Sequence, residues 1–142
     1  MSHVGTLKAV FFDIGNTLGT VSAGSDGFKF TPFDTSSALL RCFRDTLGLK
    51  LGTITNIPPE MTDATVRRLL ATAGLLTFLD DGAIVTSRDA DANKPDVKIY
   101  LYAAQRVDLP VGQCLYIGDD PEEVIGAHKA GMVGLLKPPL GG

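Results

Sequence analysis

The sequence predicts an α/β fold, with a three-layer α/β/α, Rossmann-like architecture around a five-stranded parallel sheet. Apolar segments rich in β-branched and aromatic residues alternate along the chain with segments whose apolar residues recur at helical spacing. Gly, Pro and helix-capping residues separate the two kinds of segment. Strands that alternate with helices pair in parallel through right-handed crossovers, so helices are expected on both faces of the sheet.

Five segments are predicted as strands and four as helices. The strands are residues 7–12, 49–55, 83–86, 113–117 and 133–136. The helices are residues 37–46, a segment that Pro58 and Thr62 open and Gly74 closes, residues 96–106 and residues 122–130. The Gly- and Ser-rich residues 19–33 predict a loop or a small hairpin.

Length and composition predict one soluble domain over residues 1–142. A chain of 142 residues buries roughly two-thirds of its unfolded surface, and 44% hydrophobic with 20% charged residues is typical of a globular protein. The net charge of −3 predicts no nucleic-acid partner. No signal peptide and no apolar run of about 18 residues is found, which predicts no membrane association. The two cysteines lie far apart without metal-type spacing, so a cytoplasmic location is expected.

The most informative polar residue follows the first predicted strand. Asp13 comes directly after the apolar residues 9–12, and a turn with Gly15, Asn16 and Thr17 follows it. Open α/β sheets bind ligands at the carboxyl ends of their strands. A carboxylate there can attack a phosphoryl group or bind a hard cation, although Asp, Gly and Asn are also ordinary turn-forming residues.

Two other strand ends carry polar residues that would meet Asp13 at the same edge of a parallel sheet. Thr55 and Asn56 follow the second predicted strand, and Asp119 and Asp120 follow the fourth. Carboxylates suit Mg²⁺, and a hydroxyl with backbone N–H groups suits phosphate oxygens. The three strand ends therefore indicate a site for magnesium and phosphate.

Each of these residues also has a purely structural interpretation. Asp119 and Asp120 precede a proline in a sequence typical of a helix start, and the pair Thr55 and Asn56 is an ordinary loop start. Lys94 precedes a predicted helix and would supply the cation that balances phosphate, but an isolated lysine is usually a solvated surface charge. The occurrence of all of them at strand ends favours one common site.

Taken in order, the polar segments resemble the four motifs of the haloacid dehalogenase (HAD) superfamily of phosphohydrolases. The segments are Asp13-Ile14-Gly15-Asn16-Thr17, Thr55-Asn56, Lys94-Pro95-Asp96 and Gly118-Asp119-Asp120. Residues 126–132 also resemble the helix that follows the last motif of that superfamily. The resemblance extends from about residue 7 to residue 136 and implies a HAD-like fold.

The resemblance implies a role for each motif. Asp13 would attack phosphorus and form an aspartyl-phosphate that water then hydrolyses. The phosphoryl oxygens would be held by Thr55, Asn56 and Lys94. Mg²⁺ would be held by Asp13, the main-chain carbonyl of Gly15, and Asp119 with or without Asp120. These roles agree with the general requirement of phosphoryl transfer for alignment and charge neutralisation.

Two departures from the superfamily pattern concern the chemistry. Gly15 stands where its phosphatases usually carry a second Asp, which is the acid for the leaving group and the base for water; loss of such a group costs about 10²–10⁴-fold in rate. Asp26, Asp34 or a metal-bound water are candidates to replace it. The last motif is one residue shorter than usual, so Asp120 and Glu123 are both candidates to complete the metal shell.

No cap domain is predicted. The chain has room for only a loop or hairpin and one helix between the first two motifs, and for one helix and one strand between the second and third. An open site suits a small phosphorylated metabolite, a larger phosphorylated substrate, or closure by a second copy of the chain. Phe28, Phe30 and Phe33 are interpreted as core or hairpin packing, with lining of the pocket entrance as the alternative.

The sequence therefore predicts a Mg²⁺-dependent phosphohydrolase that cleaves a phosphomonoester through Asp13. The alternative is a catalytically weak or inactive HAD-fold binding or regulatory module, in which Gly15 marks lost chemistry. A phospho-receiver domain is disfavoured because that class carries its phosphorylated Asp after the third strand, where this chain has Thr86 and Ser87.

Overall fold

The computed structural model describes residues 6–138, and their helices and strands follow the predicted alternation. In chain order the elements are β1 (Ala9–Phe12), β2 (Gly19–Gly24), β3 (Gly27–Pro32), α1 (Ser36–Arg41), β4 (Lys50–Thr55), α2 (Asp63–Thr72), β5 (Ile84–Thr86), α3 (Ser87–Ala90), α4 (Val97–Arg106), β6 (Cys114–Gly118), α5 (Pro121–Ala130) and β7 (Val133–Leu136). Short 3₁₀ turns lie at Leu76–Phe78, Asp81–Ala83 and Val111–Gln113.

A parallel five-stranded sheet with the order β5-β4-β1-β6-β7 forms the centre, as predicted. β1 lies in the middle of the sheet, with β4 and β5 on one side and β6 and β7 on the other. The carboxyl ends of β1, β4 and β6 are therefore neighbours, and the strand order reverses beside β1. Such a reversal opens the crevice in which α/β sheets bind ligands.

Helices cover both faces of the sheet because its central strands are apolar on both sides. Successive side chains of β1 alternate: Phe11 packs in the core that α4 and α5 cover, and Val10 and Phe12 pack in the core that α1 and α2 cover. All four residues of β1 are buried. The predicted three-layer α/β/α architecture is confirmed.

Residues 19–33, for which the sequence left a loop or a hairpin open, form the antiparallel hairpin β2–β3. Its register pairs Val21 with Phe30 and Ala23 with Phe28. Phe30 is buried in the core on the α1 and α2 side and anchors the hairpin there. The hairpin is therefore fixed beside the carboxyl edge of the sheet, next to α2.

Two helical segments differ from the prediction. The helix predicted over residues 37–46 is α-helical only over Ser36–Arg41 and continues as a π-helical turn over Cys42–Thr46, where the Leu47 N–H donates to the Cys42 carbonyl over 3.1 Å. α3 was not predicted. It begins directly after β5 because Thr86 Oγ1 accepts the Asp89 N–H over 3.1 Å and caps it.

The residues between the motifs form no separate cap domain in the described part of the chain, residues 6–138. The hairpin β2–β3 and α1 lie between the first two motifs, and α2, β5 and α3 lie between the second and third. Within the same residues, no helix combines the length and apolar character that crossing a membrane requires.

Candidate active site

The predicted site residues all line one pocket of about 510 Å³ at the carboxyl edge of the sheet. They are Asp13, Gly15, Thr55, Asn56, Lys94, Asp119 and Asp120, and Glu123 joins them. Asp13 and Gly15 follow β1, and Thr55 and Asn56 lie at the end of β4. Asp119 and Asp120 follow β6. Parallel pairing thus brings the motifs together, while the role of each residue remains a prediction.

Asp13 continues the line of β1 into the pocket. Its N–H donates to the Ile117 carbonyl over 2.9 Å, and its Oδ1 accepts from the Ile14 N–H and from Lys94 Nζ, each over 2.9 Å. Burial raises the pKa of Asp13 from 3.8 to about 6; Lys94 opposes this rise, and Glu123 and Asp119 add to it. At neutral pH the carboxylate is still the main form.

Lys94 is 4% exposed, so the interpretation as a solvated surface charge is wrong. Its Nζ lies 2.9 Å from Asp13 Oδ1, 2.9 Å from Glu123 Oε1, 2.8 Å from the Ile54 carbonyl and 2.9 Å from the Tyr116 hydroxyl. A buried ammonium needs such oxygen partners to offset its lost hydration. Lys94 therefore holds the Asp13 carboxylate in place by charge and hydrogen bonding.

Asn56 positions the main chain of Lys94. Its Oδ1 accepts the Lys94 N–H over 2.8 Å, and its Nδ2 donates to the Lys94 carbonyl over 3.1 Å. On the other side, α5 approaches closely because Gly126 has no side chain: a Cβ there would lie 2.5 Å from the Pro95 carbonyl oxygen. The side-chain amide of Asn56 is thus engaged with Lys94, and its contact with phosphate stays a prediction.

Tyr116 contacts Lys94 in the site, and the sequence analysis did not predict it there. Its hydroxyl accepts from Lys94 and donates to Glu123 Oε1 over 3.1 Å. Burial, with the nearby carboxylates, raises its pKa strongly, so the hydroxyl stays protonated. A Cβ at Gly118 would lie 2.8 Å from that hydroxyl. The signal in the sequence is a large residue two positions before the glycine that ends a strand. Both positions lie on one face of β6, so the glycine leaves room there for the tyrosine side chain.

A second tyrosine, Tyr100 of α4, also contacts Glu123. The Tyr100 hydroxyl donates to the main-chain carbonyl of Glu123 over 2.6 Å. The rings of Tyr100 and Tyr116 meet edge to face, with centroids 5.5 Å apart. Glu123, which the sequence offered only as a possible metal ligand, is therefore tied at both its main chain and its side chain.

The oxygen donors around Asp13 fit Mg²⁺, which usually binds through one or two carboxylates together with waters and substrate phosphate. Asp13 and Asp119 are close enough for Asp119 to raise the pKa of Asp13, and Gly15 lies in the same lining. Asp120 caps α5, with its Oδ1 accepting the Glu122 N–H over 2.9 Å. Among residues 6–138, no three Asp, Glu, His or Cys side chains converge into a metal cluster.

The backbone does not require glycine at position 15. Gly15 is not among the glycines with positive φ, and a Cβ there would meet no atom within 4 Å. A carboxylate would fit at this position, but the chain supplies none.

Most of the remaining lining is apolar, and Asn16 and Ser22 are its polar members. Phe28 and Phe30 of the hairpin line it, and Phe30 also belongs to the core, so both of their predicted roles hold. Phe33 is not part of the lining. Its ring lies under Lys137, with Nζ 4.9 Å from the ring centroid.

The sequence model of the family described as "haloacid dehalogenase-like hydrolase" matches residues 25–131. This chain belongs to the haloacid dehalogenase-like hydrolases. The match covers the second, third and fourth motif segments, and Asp13 lies before it. The resemblance on which the prediction rested is thereby confirmed, as is the coarser statement that the chain is a member of a hydrolase family.

Curated relatives of this HAD-like hydrolase include a phosphatase. The Danio rerio protein "Haloacid dehalogenase-like hydrolase domain-containing protein 3" is 36% identical over 104 residues, which are 72% of this chain and 39% of the relative. A "Glyceraldehyde 3-phosphate phosphatase" from Methanopyrus kandleri is 28% identical over 111 residues, 70% of this chain and 45% of the relative. The chain thus spans less than half the length of both.

A solved structure of a HAD phosphatase from Thermococcus onnurineus has the same fold. It superposes with a TM-score of 0.67 at 31% identity, over 80% of this chain and 49% of that one. The HAD-like fold and the family membership are consistent with each other.

Proposed function

We propose that this HAD-like hydrolase is a Mg²⁺-dependent phosphohydrolase that cleaves a phosphomonoester through an aspartyl-phosphate on Asp13. The observation that carries the proposal is the Asp13 carboxylate at the end of β1, held by the buried ammonium of Lys94 over 2.9 Å and open to a pocket of about 510 Å³. Similarity to two proteins named as phosphatases supports it.

The chemistry follows from the positions of the residues. Asp13 Oδ2 would attack phosphorus, because Oδ1 already accepts two hydrogen bonds. Lys94 would keep the carboxylate ionised and aligned, and Thr55 at the end of β4 would offer its hydroxyl to a phosphoryl oxygen. Water would then attack the phosphorus and release phosphate and the free carboxylate.

Asp13, the main-chain carbonyl of Gly15 and Asp119, with or without Asp120, would hold Mg²⁺. When bound, Mg²⁺ supplies the positive charge that lets an anionic phosphate approach the Asp13 carboxylate.

The substrate would be a small phosphorylated metabolite or a larger phosphorylated molecule, and a second copy of the chain would be able to close the open site. A cytoplasmic setting is part of the proposal because Cys42 and Cys114 are free thiols.

The test is hydrolysis of p-nitrophenyl phosphate with Mg²⁺ and with EDTA. Turnover that depends on Mg²⁺ and disappears in Asp13→Asn is the expected result. Asp81→Asn is the matched control, because Asp81 is a 97% exposed carboxylate outside the pocket. Turnover that survives Asp13→Asn would contradict the proposal.

A second candidate function is supported by Gly15, because phosphatases of the superfamily usually carry their acid/base Asp at this position. The chain would then be a binding or regulatory module that takes phosphate and Mg²⁺ but turns over slowly or not at all. Thermal stabilisation by Mg²⁺ with phosphate, without release of p-nitrophenol over hours, would favour this candidate over the first.

A further inference from the structure

The pocket of this HAD-like hydrolase has an apolar wall that the phosphoryl chemistry does not use. One part of the wall comes from the hairpin, whose register places four apolar side chains on one face: Val21, Ala23, Phe28 and Phe30. The other part comes from α2 and the loop before it, namely Ile57, Pro58, Met61, Val66, Leu69 and Leu70. Apart from Ser22 of the hairpin, the polar lining residues come from the loops around Asp13 and from the start of α5.

Packing of the core does not account for the whole wall. Phe30 is 8% exposed and belongs to the core, but Val21 is 42% exposed and Phe28 is only partly buried. Thr20, Ser22, Lys29 and Thr31 occupy the alternate positions of the same strands, and of these four only Ser22 lines the pocket. The hairpin thus turns its apolar face toward the pocket, as ligand sites do when an apolar cavity adjoins a few polar groups.

The open position at Gly15 limits which leaving group can depart. An alcohol that leaves from phosphorus without a proton must leave as its anion. A phenol, with a pKa near 10 as in tyrosine, does so far more readily than an aliphatic alcohol. A general acid normally reduces this difference, and Gly15 provides none.

We propose that this pocket takes phosphate monoesters of phenols, with the aromatic ring against Val21, Phe28 and Met61 and the phosphoryl group at Asp13. This inference rests on the proposed phosphohydrolase function. It names the substrate class as aryl phosphate, which includes free aryl phosphates and phosphotyrosine in a peptide.

The proposed step is balanced without a protein acid. Asp13 Oδ2 forms a bond to phosphorus while the bond from phosphorus to the aryl oxygen breaks, and that oxygen keeps the bonding pair and departs as phenolate. Solvent protonates the phenolate if its pKa requires. Water then attacks phosphorus, the bond to Asp13 breaks, inorganic phosphate leaves, and the proton from water passes to solvent.

The first experiment compares kcat/KM for phenyl, benzyl and glycerol phosphate, with acetyl phosphate as a small reactive reference, all in the presence of Mg²⁺. Phenyl phosphate is expected to exceed benzyl phosphate by at least 100-fold, because both carry the same ring but benzyl alcohol is the poorer leaving group. Benzyl phosphate is expected to exceed glycerol phosphate about tenfold through the apolar wall. A phosphotyrosyl peptide beside free O-phosphotyrosine separates the two sources of the aryl group.

The second experiment tests the wall itself with Phe28→Ser and with the exposed Val21→Ser, which does not threaten folding. In each variant the ratio of kcat/KM for 1-naphthyl phosphate to that for acetyl phosphate is expected to fall at least fivefold. Lys29→Ser, at an alternate hairpin position outside the lining, is the matched control and is expected to leave the ratio unchanged.

Two kinds of failure are distinguishable. Asp13-dependent turnover of acetyl phosphate with no preference for phenyl over benzyl phosphate, or with a ratio that neither hairpin variant changes, overturns the aryl phosphate inference and leaves the phosphohydrolase proposal standing. Absence of Mg²⁺-dependent turnover of acetyl phosphate, or turnover that survives Asp13→Asn, overturns both.

Discussion

Lys94 is the residue on which the charge balance of the pocket depends. Its ammonium lies 2.9 Å from each of two carboxylates, Asp13 and Glu123. Among the described residues that line the pocket, it is the only lysine, arginine or histidine. A phosphate dianion entering there adds negative charge to a group of carboxylates that one lysine already serves. This imbalance is the physical reason to expect a cation at Asp13, Gly15 and Asp119.

Gly15→Asp is predicted to restore acid catalysis. The new side chain has open space because no atom lies within 4 Å of a Cβ at this position. We expect kcat/KM for benzyl phosphate to rise about 100-fold, with a much smaller gain for phenyl phosphate, whose leaving group needs no proton. Gly15→Asn, which has the same size but no acid, is the control; an equal gain in both variants would contradict the prediction.

Tyr116→Phe is predicted to disturb Lys94 without removing a charge. The variant loses the hydroxyl that bridges Lys94 and Glu123. We expect kcat to fall about tenfold with KM nearly unchanged, and the free energy of unfolding to fall by about 1–2 kcal/mol. Steady-state kinetics and urea unfolding measure the two effects.

Tyr100→Phe separates positioning from simple destabilisation. The Tyr100 hydroxyl donates to the main chain of Glu123 and does not contact Lys94. We expect a similar loss of stability with kcat within about twofold of the wild type. Equal losses of kcat in the two tyrosine variants would assign Tyr116 a purely structural role.

The position of Lys94 is set by two elements that hold its loop from opposite sides. Asn56, at the end of β4, pairs with both main-chain groups of Lys94. α5 packs against Pro95 at Gly126 and carries Glu123 one turn earlier on its pocket side. α5 begins at Pro121, and the side chain of Asp120 caps it. The preceding strand, β6, brings Asp119 to the pocket.

Gly126→Ala is predicted to destabilise the fold and weaken catalysis together. Alanine gains about 1 kcal/mol of helix propensity over glycine, but its Cβ would lie 2.5 Å from the Pro95 carbonyl oxygen, so α5 and the Lys94 loop must separate. Overpacking of this kind costs about 1–3 kcal/mol, and we expect a net loss of stability and a lower kcat.

Gly112→Ala is the matched control for this helix–loop contact, since its Cβ would meet nothing closer than 4.0 Å. Thermal unfolding of both variants measures the difference, and we expect Gly112→Ala to be neutral or slightly stabilising. A Gly126→Ala variant as stable and active as the wild type would show that the close packing at Pro95 is dispensable.

The buried carboxyl group of Asp13 makes the stability of the whole protein depend on pH. Its contribution to the free energy of unfolding falls as the pH rises. The folded protein binds the Asp13 proton more tightly than the unfolded chain does, because the pKa of Asp13 is about 6 in place of 3.8. Stability from this group is fully present below pH 3.8 and is lost as the pH rises through about 6. The difference between the two pKa values corresponds to a change of at most about 3 kcal/mol in the free energy of unfolding.

Asp13→Asn is predicted to remove this loss. In EDTA, the free energy of unfolding of the variant should rise relative to the wild type between pH 3.8 and 7, with most of the change below pH 6. Urea unfolding at a series of pH values measures it, and Asp81→Asn should follow the wild type. A difference between variant and wild type that stays constant across the series would contradict the prediction.

The sheet, the motifs and the absence of an acid at position 15 could all be predicted from the sequence. Strand and helix segments could be read because apolar periodicity and end signals such as Thr62 and Gly131 are local. The motif residues could be placed at one edge because parallel strands end on the same side. Gly15 was visible as a departure because it is a matter of residue type alone.

The environment of each site residue could not be predicted, because it depends on contacts between segments that are far apart in the chain. Lys94 is buried because it meets Asp13 and Ile54, which lie 81 and 40 positions away in the chain. No local pattern encodes contacts over such separations, so the sequence predicted Lys94 at the site through its motif but not its burial or its oxygen partners. The role of Tyr116 and the joining of hairpin and α2 into one apolar wall likewise depend on packing between distant segments, where side-chain surroundings are set by elements that the local sequence does not contain.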